Sequence, residues 1–460
     1  MSLLASIVLS TTLLTSNPII EQANMSVLVQ NLNTGEVIDS LRPDNVVPPA
    51  SVMKVLTTAA AFEQYGADYR IPTVLEYTGA IKDSTLRGNL YIRGNCDPSL
   101  GSQRRMDMLD PWVKAVRDAG IRRIEGAVVA DMTMLDEDAH NPSWLYEDVA
   151  NYYAPGIFAL NYFNNTLSIT LSTGAEGSFA KVVSTYPQVE GLNIVNRIRA
   201  DKINYDGALV SGMAYSNERC LSGCVPANTQ KFYLKGDLPN PGLLVAQHMT
   251  TQLREAGVTV TQEASFERDI TPNAPSRTCL YTHYSERLSE LVKETNINSN
   301  NLYAESLFRY MGTKKNVPGT IKNSQDALRE FWAEKGVSIQ NAIIKDGCGL
   351  APQDAVSARV FVQVLTYMSK SKNRDAWMAS LPVSGVSGTL KKFCKDTPLE
   401  GRIHAKSGTI SGTKTFAGYI DMPNGDTLVF AVMVNAAPGK AKNIQTVIQE
   451  YLLDVYQNYQ

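Results

Sequence analysis

The chain is 460 residues long, enough for roughly three domains at about 150 residues each. Its 44% hydrophobic and 19% charged content is that of an ordinary globular protein, which excludes collagen-like and low-complexity classes. With 43 Lys+Arg against 45 Asp+Glu and a formal net charge of −2, neither nucleic acid nor an anionic membrane is the expected main partner.

Residues 1–14 carry an apolar run broken by Ser and Thr, with no Lys or Arg before Arg42. This leaves two readings, a first amphipathic helix, which is preferred, or the remnant of a trimmed export signal. The run is too short to span a bilayer, and no other segment reaches transmembrane length. Residues 25–32 read as a strand, Asn33-Thr34-Gly35 as a turn, and 36–38 as the returning strand. An extended stretch ends at Pro48-Pro49-Ala50. A helix is expected to start at Ser51, with Val52, Leu56, Ala59, Ala60 and Phe62 on its apolar face.

From residue 71 the texture turns strand-like, at 73–78 and 89–93, followed by a helix at 106–119 and a strand at 127–131. Residues 160–242, rich in Asn, Ser, Gly and Thr, read as a mostly β module. Helical periodicity returns at 243–256 and dominates 285–370. Three strands close the chain at 402–409, 415–420 and 427–434, the last two joined by the hairpin signal Asn424-Gly425. A helix is expected at 440–456. The front hairpin and helix and the closing strands and helix can share one sheet, which makes the middle of the chain an insertion into a split domain.

The four histidines, His140, His248, His283 and His404, include no helix-spaced pair, which argues against a zinc hydrolase and for no metal. Six cysteines are too few for a disulfide scaffold. Cys220 and Cys224 leave a local disulfide and two free thiols equally open; zinc is disfavoured because no second pair follows.

Ser51 and Lys54 form a Ser-x-x-Lys sequence, which on a helix puts both side chains on one face. A serine hydroxyl needs a neighbouring base, and a lysine serves only if burial or a nearby cation lowers its pKa. The spacing alone is common: Ser178–Lys181, Ser369–Lys372 and Ser411–Lys414 share it. Ser51 differs by following Pro-Pro-Ala at the start of a strongly apolar helix. Ser299-Asn300-Asn301 precedes a helical run and also suits a helix cap. Lys406-Ser407-Gly408-Thr409 lies on the first closing strand, where Gly408 permits close approach of another backbone. His404, two residues before Lys406, shares its face and reads as structural. Asp131, Asp136 and Glu147 could meet substrate from the insertion, but nothing in their spacing distinguishes them from surface charge.

Ser-x-x-Lys, Ser-x-Asn and Lys-Ser/Thr-Gly occur here in the order in which serine β-lactamases and penicillin-binding proteins carry them. Asp346-Gly347-Cys348-Gly349-Leu350 resembles an Asp-Gly-Ser-Gly-Leu signature, and residues 381–390 (Leu-Pro-Val-Ser-Gly-Val-Ser-Gly-Thr-Leu) resemble another, with Ser387 in place of Asp. The chain thereby resembles low-molecular-mass class C penicillin-binding proteins, the D-alanyl-D-alanine carboxypeptidases and endopeptidases of the penicillin-binding protein 4 type.

The resemblance implies an α/β (α+β) serine β-lactamase/DD-peptidase-like domain at 1–70 and 281–460. It is split by an inserted domain at 71–160 and 243–280, which holds a nested mostly β domain at 161–242. It implies Ser51 as nucleophile, Lys54 as its base, Ser299 as proton relay, Asn301 as holder of the substrate amide and Lys406 as a positive charge. Ser407 and Thr409 would bind the terminal carboxylate, and the N–H groups of Ser51 and Thr409 would form the oxyanion hole. No cofactor is implied. The implied partners are peptidoglycan peptides with D-Ala-D-Ala ends and β-lactams as inhibitors, and the implied location is periplasmic or otherwise extracytoplasmic, soluble or loosely membrane-associated. A β-lactamase or esterase on the same fold, and a non-catalytic peptidoglycan-binding protein, remain as alternatives.

Overall fold

The structure, a computed structural model, describes residues 10–135 and 137–459. Most of the expected N-terminal helix, and Asp136, lie outside the described residues; residues 10–15 are helical. The chain forms two compact units. One comprises Met1–Tyr69, Arg287–Lys314 and Ile321–Gln460, and the other Arg70–Glu286 and Lys315–Thr320.

The first unit is built on an antiparallel sheet of β1 (Asn24–Asn31), β2 (Val37–Leu41), β3 (Ile403–Ile410), β4 (Thr413–Asp421) and β5 (Thr427–Asn435). The strand order is β2-β1-β5-β4-β3, so the two ends of the chain share one sheet, as expected. Its central strand explains the near-continuous apolar run of 428–434, because a strand covered on both faces cannot alternate. Leu428, Phe430, Val432 and Val434 join the core formed with Ile444, Ile448, Tyr451 and Leu452 of the C-terminal helix Ala441–Asn458. The intervening Val429, Ala431 and Met433 are buried on the opposite face, the side packed by helix Ala358–Ser369.

Three helices matter for the site: α1 (Met53–Tyr65), α2 (Leu288–Ile297) and α3 (Asn301–Met311). The expected start of α1 at Ser51 is displaced. Ala50–Val52 form a tight 3-10 turn entered through Ala50 at φ +46°, and regular helix begins at Met53. The helical run of 285–370 is interrupted as well. Ser299, at φ +56°, separates α2 from α3, and residues 335–355 form loops around the Asp346-Gly347-Cys348-Gly349-Leu350 stretch.

The second unit contains a five-stranded sheet with Leu90–Arg93 at its centre and three smaller sheets, with helices Asp110–Asp118 and Pro241–Glu255. Between Thr166 and Asp237 the regular elements are strands. Cys220 and Cys224 both lie on the strand Glu218–Pro226 and are free. Four residues of extended chain span about 13 Å, beyond the ~5.5 Å between the Cα atoms of a disulfide; the local bridge left open by the sequence is not formed. Asp131 is also not surface charge, being buried and paired with Arg277, whereas Glu147 is exposed.

Candidate active site

Ser51 stands on the turn before α1 and Lys54 one turn further on, on the same side. The Lys54 side chain is fully buried. Its Nζ is 2.9 Å from Ser51 Oγ, 2.6 Å from Asn301 Oδ1 and 2.7 Å from the Cys348 carbonyl oxygen. Burial pushes its pKa down from the ordinary lysine value, while the acidic groups of Cys348, Asp346, Glu305 and Asp354 pull it back up. A lysine with a lowered pKa and a serine hydroxyl within hydrogen-bond reach make an activated nucleophile.

Asn300 caps α3, its side chain accepting from the Tyr303 N–H. The cap therefore falls on the middle residue of the Ser-Asn-Asn stretch and leaves its two neighbours to the site. Asn301 holds Lys54, and Ser299 Oγ accepts from Lys406 Nζ at 3.0 Å. Lys406 also donates to the Ser407 carbonyl at 2.6 Å. Burial, then the positive charges of Lys54 and Lys414, hold its pKa well below the usual value.

β3 is the edge strand, and its direction of hydrogen bonding follows from one contact. The Ala405 N–H points out of the sheet and donates to the Pro382 carbonyl. The backbone alternates with a period of two, so the Thr409 N–H points out along the same edge. At Gly408 this edge runs against the turn of Ser51: a Cβ placed there would lie 2.9 Å from the Ser51 nitrogen and 2.8 Å from the Pro49 carbonyl oxygen. The Ser51 nitrogen thus lies beside the residue that precedes Thr409.

His404 does not join this group; its ring pairs with Asp421 at 3.4 Å.

The loop after Glu334 is fastened from beneath. Asp346 accepts from four backbone N–H groups, those of Cys348, Gly349, Leu350 and Ala351, and Glu305 accepts from Gly347. Gly349, at φ +78°, has no room for a side chain, since a Cβ would lie 1.8 Å from the Ala50 carbonyl oxygen. Cys348 meets Lys54 through its carbonyl, so thiol in place of hydroxyl leaves that contact intact. Ser387 accepts from the Val383 N–H, a role an aspartate oxygen also fills. Glu305, Asp346 and Cys348 bring ligand-type atoms within 4.8 Å of one another, but both carboxylates are engaged with the backbone.

Two residues of this region were missed by motif reading. Thr389 pairs its hydroxyl with Ser407 Oγ at 2.8 Å; it lies in the 381–390 stretch, which marked a resemblance without assigning a role. Lys414 donates to Thr409 Oγ1 at 2.8 Å and entered the sequence reading only as part of a chance Ser-x-x-Lys match.

Comparison with known proteins gives a consistent result. The family model for the D-Ala-D-Ala carboxypeptidase 3 (S13) family matches residues 9–454. A D-alanyl-D-alanine carboxypeptidase of an Actinomadura species is 28% identical over 438 residues, covering 92% of this chain and 80% of the relative. A second such carboxypeptidase, from Haemophilus influenzae, is 25% identical over 424 residues, covering 90% of this chain and 86% of the relative. The crystal structure of penicillin binding protein 4 from Haemophilus influenzae shares the fold, with a TM-score of 0.85, 23% identity and coverage of 98% of this chain and 99% of that one. The expected fold class and family agree with these findings.

Proposed function

The chain belongs to the D-Ala-D-Ala carboxypeptidase 3 (S13) family, and from that premise we propose that it is a serine DD-peptidase acting on peptidoglycan stem peptides through an acyl-enzyme on Ser51. The observation that carries the assignment of roles is the buried Lys54 amine 2.9 Å from the Ser51 hydroxyl. With Lys54 neutral, the hydroxyl gives its proton to Nζ as Oγ attacks the carbonyl of the D-Ala-D-Ala bond. The N–H groups of Ser51 and Thr409 receive the negative charge that develops on the carbonyl oxygen, the contribution that is usually largest in acyl transfer. Ser299, polarised by Lys406, passes its proton to the leaving amine while the proton taken up by Lys54 replaces it, and D-alanine departs as the C–N bond breaks. Water then gives a proton to Lys54 as its oxygen adds to the ester carbonyl; the C–Oγ bond breaks, Lys54 returns that proton to Ser51, and the shortened peptide is released. Asn301 holds Lys54 and the substrate amide, while Ser407 and Thr409 take the terminal carboxylate.

A β-lactam presents a strained amide to the same hydroxyl and its leaving nitrogen stays tethered, so a long-lived adduct on Ser51 is expected. The substrate lies outside the cytoplasmic membrane, so we place the protein there; among the described residues no helix is long and apolar enough to cross a membrane. Residues 161–242 are proposed as a module nested within the insertion, on the strength of the strands between Thr166 and Asp237.

Intact mass after incubation with benzylpenicillin, for the wild type and Ser51→Ala, tests the proposal together with D-alanine release from a D-Ala-D-Ala peptide. The expected result is a persistent single adduct and peptide turnover, both lost in Ser51→Ala. Rapid destruction of the drug without an adduct would favour a β-lactamase, and neither adduct nor turnover a non-catalytic protein.

A further inference from the structure

Lys414 is a cation of the site region to which motif reading gave no role, and its surroundings are unusual for a lysine. It sits on β4 directly opposite Thr409 on β3. The strands are joined by the two-residue turn Ser411-Gly412, which makes 410 and 413 the closing hydrogen-bonded pair; 409 and 414 are then a non-hydrogen-bonded pair, in which side chains approach most closely. Its amine donates to Thr409 Oγ1 and lies 5.3 Å from the Phe416 ring centroid. Phe416 is itself stacked on Phe393 in the core, so the lysine stem rests on a fixed surface. No carboxylate pairs with Lys414 among the described residues, and burial pushes its pKa down to about 8. A half-buried cation without a counter-charge is costly, and here it faces the exposed Thr409 hydroxyl.

We propose that Lys414 is a specificity-determining residue whose ammonium, together with the Thr409 hydroxyl, binds the carboxylate on the carbon that bears the leaving amine of the substrate. The inference rests on the DD-peptidase reading and deepens it. A negatively charged group placed against Thr409 meets a donor that is already oriented and lacks its counter-ion, and the Ser407–Thr389 hydroxyl pair lies beside it on the same face of β3. Two substrate types carry such a carboxylate: a stem peptide ending in D-alanine, and a D-amino-acid cross-link whose amine leaves from a carbon that also holds a carboxylate.

The test compares kcat/KM for a D-Ala-D-Ala peptide with a free C-terminal carboxylate and for the same peptide as its C-terminal amide, in wild type, Lys414→Met and Lys414→Arg. A charge-assisted hydrogen bond is roughly twice as strong as a neutral one, so the acid-to-amide ratio is expected to fall about tenfold in Lys414→Met and to be largely restored in Lys414→Arg. Acylation rates with benzylpenicillin and its methyl ester provide the same ratio without turnover, and a cross-linked dimer tested alongside the linear peptide shows which carboxylate source is used more. A wild-type ratio in Lys414→Met, or equal losses on acid and amide, overturns the inference while leaving the DD-peptidase reading in place. A wild type that neither forms an adduct nor releases D-alanine overturns that reading, and the inference falls with it.

Discussion

Gly408 and the backbone nitrogen of Ser51 stand so close that a Cβ on the glycine would come within 2.9 Å of that nitrogen. The same atom would lie 2.3 Å from Thr415 Oγ1, whose hydroxyl is tied to the Pro49 carbonyl. A methyl group here cannot be accommodated by a flexible side chain; the strand or the nucleophile turn must move. Gly408→Ala is therefore expected to slow acylation by benzylpenicillin about a hundredfold, the order lost with one oxyanion donor. Overpacking should also cost about 1–3 kcal/mol, visible as a lowered Tm. Acylation at the wild-type rate would show that the approach of β3 to Ser51 has no part in the chemistry.

Removing the proposed base tests a different element. Lys54→Met should slow acylation by about 10²–10⁴, the usual worth of a positioned general base, with the protein still folded by circular dichroism. In the wild type the acylation rate should rise with pH as Lys54 loses its proton, with a midpoint below the ~10.4 of an ordinary lysine, because burial lowers its pKa. A rate that falls as pH rises towards the pKa of an ordinary lysine would remove Lys54 from this role.

Glu305 gives a prediction on stability. Burial, with Asp346 nearby, pushes its pKa to about 8 from an ordinary 4.5. The folded protein therefore holds a proton that the unfolded chain releases above about 4.5, so stability falls as pH rises from there through about 8. Glu305→Gln keeps an acceptor for the Gly347 N–H and removes the titration. Its Tm should decline less than that of the wild type between pH 5 and pH 8.5; parallel curves would count against the assignment. Asp354, also raised by burial, acts in the same direction and leaves a residual slope in both proteins.

The thiols divide by burial. Alkylation of the folded protein should modify the exposed Cys279 and the half-buried Cys220 and Cys224, and spare the buried Cys96, Cys348 and Cys394. The Cys348 thiol is further protected by a pKa held well above the ordinary value by burial. Peptide mapping after labelling reads this directly, and joint protection of Cys220 and Cys224 that disappears on reduction would reveal a bridge.

Thr389 has a smaller expected effect. Thr389→Val deletes the partner of the Ser407 hydroxyl, and a neutral hydrogen bond contributes about 1 kcal/mol. KM for a D-Ala-D-Ala peptide should rise about fivefold with kcat affected less. An unchanged KM would mean that Ser407 needs no help in keeping its orientation.

Much of the protein was legible in the sequence because the signals are local. Asn424-Gly425 marks the hairpin that joins β4 and β5. The motifs around Ser51, Ser299 and Lys406 carry their own side-chain chemistry in a recognisable order. The start of α1 was placed two residues early, since nothing in Pro-Pro-Ala-Ser announces that Ala50 takes a positive φ and tightens the turn.

What the sequence alone determined was which side chains could form a serine acyl-transfer site and which strands and helices would carry them. Only the tertiary structure decided what surrounds them. The Cys348 carbonyl on Lys54 is a main-chain group, identical in every residue type, so no letter in the chain can report that contact. Asp131 reads as surface charge until Arg277, far along the chain, is brought beside it. Lys414 looked like half of a chance match because its meaning depends on the register that sets it opposite Thr409. Local pattern specifies chemistry and secondary structure, whereas burial and long-range pairing set pKa, orientation and partner, and those exist only once the chain has folded.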